Sequence, residues 1–572
     1  MPYDAKPWLK SYDVGVPATV EAPEISFPTH FDEIVAAYPD RPALHFYGTT
    51  LTFKQLQAQS NRVAQALVAH GCGPGDVVGI NLPNIPQYLI AQVGAAKAGC
   101  ASSGMSPLLT ARELRYQLND SKAKALFTLD AIFEHRLAGT ANEIPALKLV
   151  AVAGILDYLP WIKRILGRLL KKAPHGKIGP LADKTVVRFS RILADYPDTS
   201  PEAAPGLDDP FLVQYTGGTT GVPKGTILTH RNLAVNQAQI ETWTKPEYGS
   251  EVFLSGFPLF HLAGLAMGLA ALATASAQVL IPNPRDTGFI VKQIAVYGPT
   301  VLVNVPSLYM MLMEDPGFQK LDFSSLKFCL SGASPFPSDS ILELERIIGK
   351  GKVMEVYGLT ESSPIITMNP RFGPKKIGSV GLPVSGTDVR LVDLENGTTP
   401  VPLREEGELI ASGGQVMKGY LNKPEETSIA LREHDGKVWL HTGDVARMDE
   451  DGFFYIVDRT KDMLNVGGFK VFSREVEEKL YEHPAIEFCA IIGLPNTRRP
   501  GTDIVKLVVQ VSRSHRARND EEVKADILSF ARENFSPFKV PKIIEFVEEM
   551  PLTVVGKVDK KALRSHIGNE GS

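Results

Sequence analysis

The stretch Phe211-Leu-Val-Gln-Tyr-Thr-Gly-Gly-Thr-Thr-Gly-Val-Pro-Lys224 joins a short apolar strand to a loop of six consecutive Gly or Thr residues. Gly217, Gly218 and Gly221 let the backbone turn sharply and approach a bulky anion closely. Backbone N–H groups and the hydroxyls of Thr216, Thr219 and Thr220 can then donate to phosphate oxygens. Lys224 adds a cation, and Pro223 stiffens the loop beside it. A Walker A loop needs Gly-Lys-Ser/Thr, which Pro223 and Gly225 on either side of Lys224 exclude, and there is no G-x-G-x-x-G dinucleotide turn in the loop. The chain also lacks G-x-S-x-G, the usual serine-hydrolase elbow.

Outward from this loop, helix–turn–strand units recur. An amphipathic pattern from Leu51 leads through Gly71-Cys-Gly-Pro-Gly-Asp76 to the strand Val77–Ile80. Pro86–Lys97 and Ala111–Asp120 read as helices, the second leading to the strand Ala125–Thr128, and Phe289–Tyr297 leads to Thr300–Val303. Such alternation predicts parallel sheets covered by helices on both faces. After about Gly378 the texture changes to short strands between Gly and Asp turns, at Val389–Val392, Gly407–Ala411 and Phe453–Val457. A compact α+β segment follows Lys461. The 572 residues are too many for one core, and about three or four compact units are expected.

With 60 Lys plus Arg against 64 Asp plus Glu, the net charge of -4 gives no basic excess, so nucleic acid is not an expected partner. Cys72, Cys100, Cys329 and Cys489 are far apart and suggest neither a zinc site nor a disulfide framework, which fits a reducing cytoplasmic compartment. The uncharged run Leu262–Ile281 is long enough to span a bilayer but is mostly Ala, Gly, Ser and Thr. A buried helix followed by the strand Gln278–Ile281 is the expectation. In Pro160–Lys172, Trp161, Ile162, Ile165, Leu166, Leu169 and Leu170 share one helical face, with Lys163, Arg164, Arg168, Lys171 and Lys172 largely on the other. The plain expectation is a helix packed by that apolar face on its own domain. A basic amphipathic helix also suits peripheral contact with the inner face of a membrane.

Four further motifs follow in order: Tyr357-Gly-Leu-Thr-Glu361, His441-Thr-Gly-Asp444, Asp458-Arg-Thr-Lys-Asp462 with Gly467-Gly468, and Pro551-Leu-Thr-Val-Val-Gly-Lys557. With the Thr216–Lys224 loop they resemble the adenylate-forming superfamily of acyl-CoA synthetases, luciferases and peptide-synthetase adenylation domains, from about residue 30 to 565. The segment from Trp439 to Val476 looks like the signature of bacterial fatty-acyl-CoA synthetases.

The resemblance implies a multidomain α/β and α+β fold. A large N-terminal adenylation domain (1–458) would hold two α/β sheet subdomains and a small β-barrel. A hinge at 459–461 and a small mobile α+β lid at 462–572 would follow. It implies an AMP-forming acid–CoA ligase that uses ATP, Mg2+ and coenzyme A. By the same resemblance Thr216, Gly217, Gly218, Thr219, Thr220, Gly221, Lys224, Gly332, Ala333, Glu355, Val356, Tyr357, Thr360, Asp444, Arg459 and Lys557 bind ATP. Glu361 holds magnesium, and Lys557, Glu361, Thr360 and Lys224 are catalytic. His261, Val356 and Gly332 border the acyl pocket, while Lys461, Gly467 and Gly468 serve the hinge and the approach of CoA.

The chemistry agrees with these residue types. A carboxylate attacking the α-phosphate of ATP brings two anions together, so cations and oriented dipoles must line the pocket. Val356 stands where many long-chain relatives carry Gly, which narrows the acyl path. A medium- to long-chain fatty acid is expected, with aryl or alicyclic acids as the alternative. The chain ends 15 residues beyond Lys557, so a carrier-protein acceptor would act in trans. Oligomeric state is left open, a homodimer included.

Overall fold

The computed structural model describes residues 3–169, 175–202, 205–216, 223–459, 462–466, 469–496, 502–553 and 557–567. Two large mixed sheets dominate it. One has eight strands, with Val77–Asn81 parallel to both Ala101–Gly104 and Ala125–Leu129. The hairpin Pro210–Thr216/Lys224–Thr229 closes one side. The other sheet has nine strands, its parallel centre formed by Val252–Ser255, Val301–Asn304, Phe328–Ser331 and Val353–Gly358. The central strands are buried along their whole length, as expected where helices cover both faces.

The predicted helices form where the periodicity places them, at Phe53–Ala69, Pro86–Lys97, Ala111–Asp120 and Thr287–Tyr297. Thr52 with Gln55 and Thr110 with Glu113 make reciprocal capping boxes at two of their starts. Pro86–Lys97 is buried at every residue, because it lies between the first sheet and the helix Phe53–Ala69. The run Leu262–Ile281 is a buried helix, Leu262–Ala273, followed by the strand Ala277–Leu280. Among the described residues no helix is long and apolar enough to cross a membrane.

The β-rich unit expected after about Gly378 is present. Among the described residues it is an open five-stranded antiparallel sheet, with Asp388–Val392 at one edge and no pairing that closes it. The reason lies in the long strand Lys437–Met448, which bends at Thr442-Gly443, with Gly443 at φ +69°. Its first half pairs with Leu431–His434 and its second half with Phe454–Arg459 on the same edge, so two short strands share one side.

A three-stranded sheet, Ile486–Pro495, Asp503–Val511 and Ile543–Val547, carries the C-terminal unit with its own apolar core. Buried Asp458, the residue before the expected hinge, accepts hydrogen bonds from the backbone N–H and hydroxyl of Ser473. Lys560 donates to Ser473 Oγ at 2.6 Å and pairs with Glu477 at 2.7 Å. This fastening holds the loop that carries Lys557 beside the large domain.

Candidate active site

A cavity of about 670 Å³ opens where the C-terminal ends of strands from both large sheets meet. This is the position at which open α/β sheets commonly hold ligands. Thr216 and Lys224 face each other as the last pair of their hairpin, so the expected phosphate loop leaves and re-enters at the cavity rim. Gly217, Gly218, Thr219, Thr220 and Gly221 lie outside the described residues.

The polar end is ordered by a chain of three side chains. Lys224 Nζ sits over the ring of Tyr420, 5.1 Å from its centroid. Tyr420 donates its hydroxyl to Glu361 Oε1 at 2.7 Å, and Met417 N–H donates to the Glu361 carbonyl. Burial, with the Glu361 carboxylate beside it, holds the Tyr420 phenol well above its ordinary range, so it stays a donor. Thr360 and Glu361 share a short turn after the strand Val353–Gly358, which aims both at the cavity. Among the described residues no group of three His, Cys, Asp or Glu side chains is placed to bind a metal. Glu361 as a lone carboxylate suits Mg2+, which commonly takes one or two protein carboxylates and completes its shell with phosphate oxygens and water.

Tyr357 donates its hydroxyl to Asp444 Oδ2 at 2.7 Å, tying the end of the nine-stranded sheet to the bent strand Lys437–Met448. The bend itself is braced by Glu408. One of its oxygens accepts from Gly443 N–H at 3.0 Å, and the other lies 3.0 Å from His441 Nδ1. Burial would raise Glu408, but the His441 and Gly443 contacts hold it below the usual carboxylate range. Thr442 donates to Leu409 O and accepts from Asp444 N–H, which fixes the Thr442 side chain within the turn. Arg459 is the strand partner of Asp444 across the sheet.

A second cavity, of about 300 Å³, adjoins the first and shares Ala333, Val356, Tyr357, Gly358, Asp444 and Lys557 with it. Ala333 turns away from its strand at φ +68°. Glu355 lines this second cavity rather than the first. Burial pushes its carboxyl up to about 8, although Gly378 N–H donates to it at 2.9 Å. Lys557 lines both cavities, and Thr553 N–H donates to its carbonyl at 2.6 Å. His261 caps the helix Leu262–Ala273, its Nδ1 accepting from Ala263 N–H at 3.3 Å. Burial, reinforced by the Lys557 ammonium, lowers His261 to about 4. The neutral ring therefore carries its proton on Nε2.

The other end of the main cavity is apolar, lined by Met267, Val303, Leu330 and Ile365. Gly332 and Val356 form its neck. A Cβ at Gly332 would stand 2.7 Å from Val356 Cγ2, so Val356 fills the room that Gly332 leaves.

Thus Thr216, Lys224, His261, Gly332, Ala333, Val356, Tyr357, Thr360, Glu361, Asp444 and Lys557 meet at one cavity. Lys461, Gly467 and Gly468 lie outside the described residues, as does the Arg459 side chain. Tyr420, Glu408 and Gln214 were not anticipated. Gln214 lines the cavity and donates to Phe260 O at 2.8 Å, while its Oε1 has no hydrogen-bond partner among the described residues. Tyr420 had a readable signal in Lys418-Gly-Tyr420, at the start of a turn near the other motifs.

The AMP-binding enzyme family matches residues 31–421, and its AMP-binding enzyme C-terminal domain matches residues 475–557. A long-chain-fatty-acid–CoA ligase of Bacillus subtilis (strain 168) is 37% identical, over 98% of this chain and 97% of the relative. The crystal structure of the anthranilate CoA ligase AuaEII with anthranoyl-AMP superposes with TM-score 0.81 at 25% identity, covering 95% of this chain and 98% of the other. ATP-bound MatB from Rhodopseudomonas palustris superposes with TM-score 0.81 at 26% identity, covering 95% and 100%. Apo MatB superposes with TM-score 0.71 over the same shares. From the strand-end cavity to the C-terminal lysine loop, the chain belongs to the AMP-binding enzyme family.

Proposed function

We propose that this enzyme is an AMP-forming fatty acid–CoA ligase. The observation that carries the proposal is the convergence of Lys224, Thr360, Glu361, Asp444 and Lys557, drawn from distant parts of the sequence, on one cavity with an apolar end. In the first half-reaction the carboxylate attacks the α-phosphorus of ATP, giving acyl-AMP and pyrophosphate. Lys557 offsets the charge of the two anions as they approach, and Thr360 donates to the α-phosphate. Lys224 and the Thr216–Gly221 loop hold the outer phosphates. Asp444 accepts from the ribose hydroxyls, with Tyr357 holding its carboxylate in place and presenting a ring to the adenine. Arg459 adds a donor to the ribose or phosphate. Mg2+, when bound at Glu361, withdraws charge from the phosphate oxygens.

In the second half-reaction the CoA thiolate attacks the acyl carbonyl and AMP leaves. The domain boundaries 1–458, 459–461 and 462–572 belong to this proposal. Rotation about Lys461 would withdraw Lys557 and bring in the Gly467-Gly468 segment to flank the thiol, so that the anhydride is shielded from water until CoA is admitted.

Support for a fatty acid comes from the relative in Bacillus subtilis and from the apolar end of the cavity. A second reading, an aryl acid, is favoured by the neck at Val356 and Gly332 and by the anthranilate CoA ligase structure. AMP release with ATP, Mg2+ and CoA over fatty, aryl and alicyclic acids separates the two. The proposal expects the highest kcat/KM with a medium- or long-chain fatty acid. Preference for an aryl acid would reverse it.

A further inference from the structure

Tyr420 lies between two opposite charges at the polar end of the main cavity. Lys224 and Glu361 both line that cavity, and each engages Tyr420. The phenol offers each what its charge requires. Its hydroxyl donates to Glu361 Oε1 at 2.7 Å. Its ring centroid lies 5.1 Å from Lys224 Nζ, and the negative face of a π-system attracts a cation. Only Tyr combines the two: Phe lacks the donor, and Ser or Thr lacks the ring.

The backbone fixes where the phenol stands. The short strand Gly419–Tyr420 pairs with Lys224–Thr229, Tyr420 opposite Thr226. Lys418 N–H donates to Ile227 O at 3.0 Å, and Leu421 N–H donates to Gly225 O at 2.8 Å. Toward the other side, Met417 N–H donates to Glu361 O at 2.9 Å, and Gln415 O accepts from Ser363 Oγ at 2.7 Å. Tyr420 N–H donates to Thr427 Oγ1 at 2.9 Å. The segment from Gln415 to Leu421 therefore splints the return strand of the phosphate loop to the turn that carries Thr360 and Glu361. Among the described residues Glu361 Oε2 accepts no hydrogen bond, so Tyr420 engages one carboxylate oxygen and leaves the other. A direct Lys224–Glu361 ion pair would turn both charges toward each other and away from a nucleotide.

We propose that Tyr420 is a positioning residue for Mg2+–ATP: its hydroxyl holds the Glu361 carboxylate in one orientation for the metal, and its ring keeps the Lys224 ammonium from pairing with that carboxylate. This rests on the adenylation reading above, which assigns ATP and Mg2+ to the cavity.

ATP binding to the full chain is measured by titration calorimetry, in EDTA and over a series of Mg2+ concentrations, with neither acid nor CoA present. Wild type, Tyr420→Phe and Tyr420→Leu are compared. Mg2+ strengthens ATP binding by the wild type. Tyr420→Phe removes one oxygen and leaves the ring. It needs about 10–100-fold more Mg2+ for the same gain, the usual cost of losing a partner behind a metal ligand. Its metal-free ATP affinity stays at the wild-type value, because Lys224 keeps its seat on the ring. Tyr420→Leu shows the same Mg2+ shift and also binds metal-free ATP severalfold more weakly. A purely structural role would lower both affinities together, in step with thermal unfolding. The proposal is overturned if Mg2+ does not strengthen wild-type binding, or if Tyr420→Phe needs no more Mg2+ than wild type. It is also overturned if Tyr420→Phe loses metal-free and Mg2+-supported affinity in equal proportion, or if Tyr420→Leu binds metal-free ATP as well as Tyr420→Phe. These measurements involve no acid. A protein that shows the Tyr420 effects but exchanges no pyrophosphate into ATP would contradict the ligase reading and keep this one.

Discussion

Val356 Cγ2 stands 2.7 Å from the point a Cβ on Gly332 would occupy, so one side chain serves both positions at the neck of the cavity. Removing it opens the neck. Val356→Gly should raise kcat/KM for long, straight acids relative to short ones, with about tenfold change in the ratio, the scale of one or two methylene contacts. Gly332→Ala should depress activity on all acids, because its Cβ also meets Val356 O at 3.0 Å and cannot be relieved by a side-chain rotation. Competition assays with paired acids measure both. An unchanged ratio in Val356→Gly would remove this neck from the selection of acids.

Met267 lines the apolar end of the same cavity from the helix Leu262–Ala273. Met267→Ala should lengthen the preferred chain, and Met267→Phe should shorten it. Thermal unfolding serves as the control, since truncating a buried Met costs roughly 2–5 kcal/mol where the site cannot collapse.

Lys557 lines both cavities in the present arrangement. Lys557→Ala should lower acyl-AMP formation roughly 10²–10³-fold, the usual cost of one preorganised donor. Thioester formation from supplied acyl-AMP and CoA should be largely retained. Equal loss of both half-reactions would contradict the division of labour between Lys557 and the Gly467-Gly468 segment.

Glu408 touches the Asp444 turn from behind, through Gly443 N–H and His441. Glu408→Gln keeps the size but loses one acceptor, and should raise KM for ATP roughly tenfold, the worth of a hydrogen bond to a charged group. The same variant should lose discrimination between ATP and 2′-deoxyATP. General loss of fold would reduce activity without changing that ratio.

Glu355 supplies the pH dependence. Burial raises its carboxyl to about 8, so it is neutral below that pH and anionic above it. The sign follows directly. With the nucleotide in the adjoining main cavity, as proposed, a new anion in the second cavity opposes its binding, so KM for ATP should rise as pH passes through about 8. Glu355→Gln should flatten that limb. In stability, a raised carboxyl pKa means the contribution is full below pH 4.5, is lost as pH rises from there, and is gone above about 8. Urea unfolding of the two proteins across this range tests it.

Much of this was legible in the sequence because it depends on local rules. The helices Pro86–Lys97 and Ala111–Asp120 and the buried helix in Leu262–Ile281 follow from periodicity and punctuation. The meeting of Lys224, Glu361 and Asp444 was inferred from motif order. What could not be read depends on partners far apart in the chain. Tyr420 reaches Glu361 across 59 positions, and Glu408 reaches Gly443 across 35. The exposure of Trp161 was left open by the sequence for another reason. A helical pattern defines a face but not which way it points, and Lys163 and Arg164 found carbonyl partners on the protein. The strand order of the β-rich unit could not be read either, because the bend at Gly443 sends two strands to one edge.

The most direct test is acid-dependent exchange of labelled pyrophosphate into ATP, with Mg2+ and without CoA. If the cavity between Lys224 and Lys557 forms acyl-AMP, a fatty acid supports exchange by the wild type, Lys557→Ala slows it roughly 10²–10³-fold, and AMP is released only when CoA is added. Binding of ATP with no exchange for any fatty, aryl or alicyclic acid would contradict adenylation at this site.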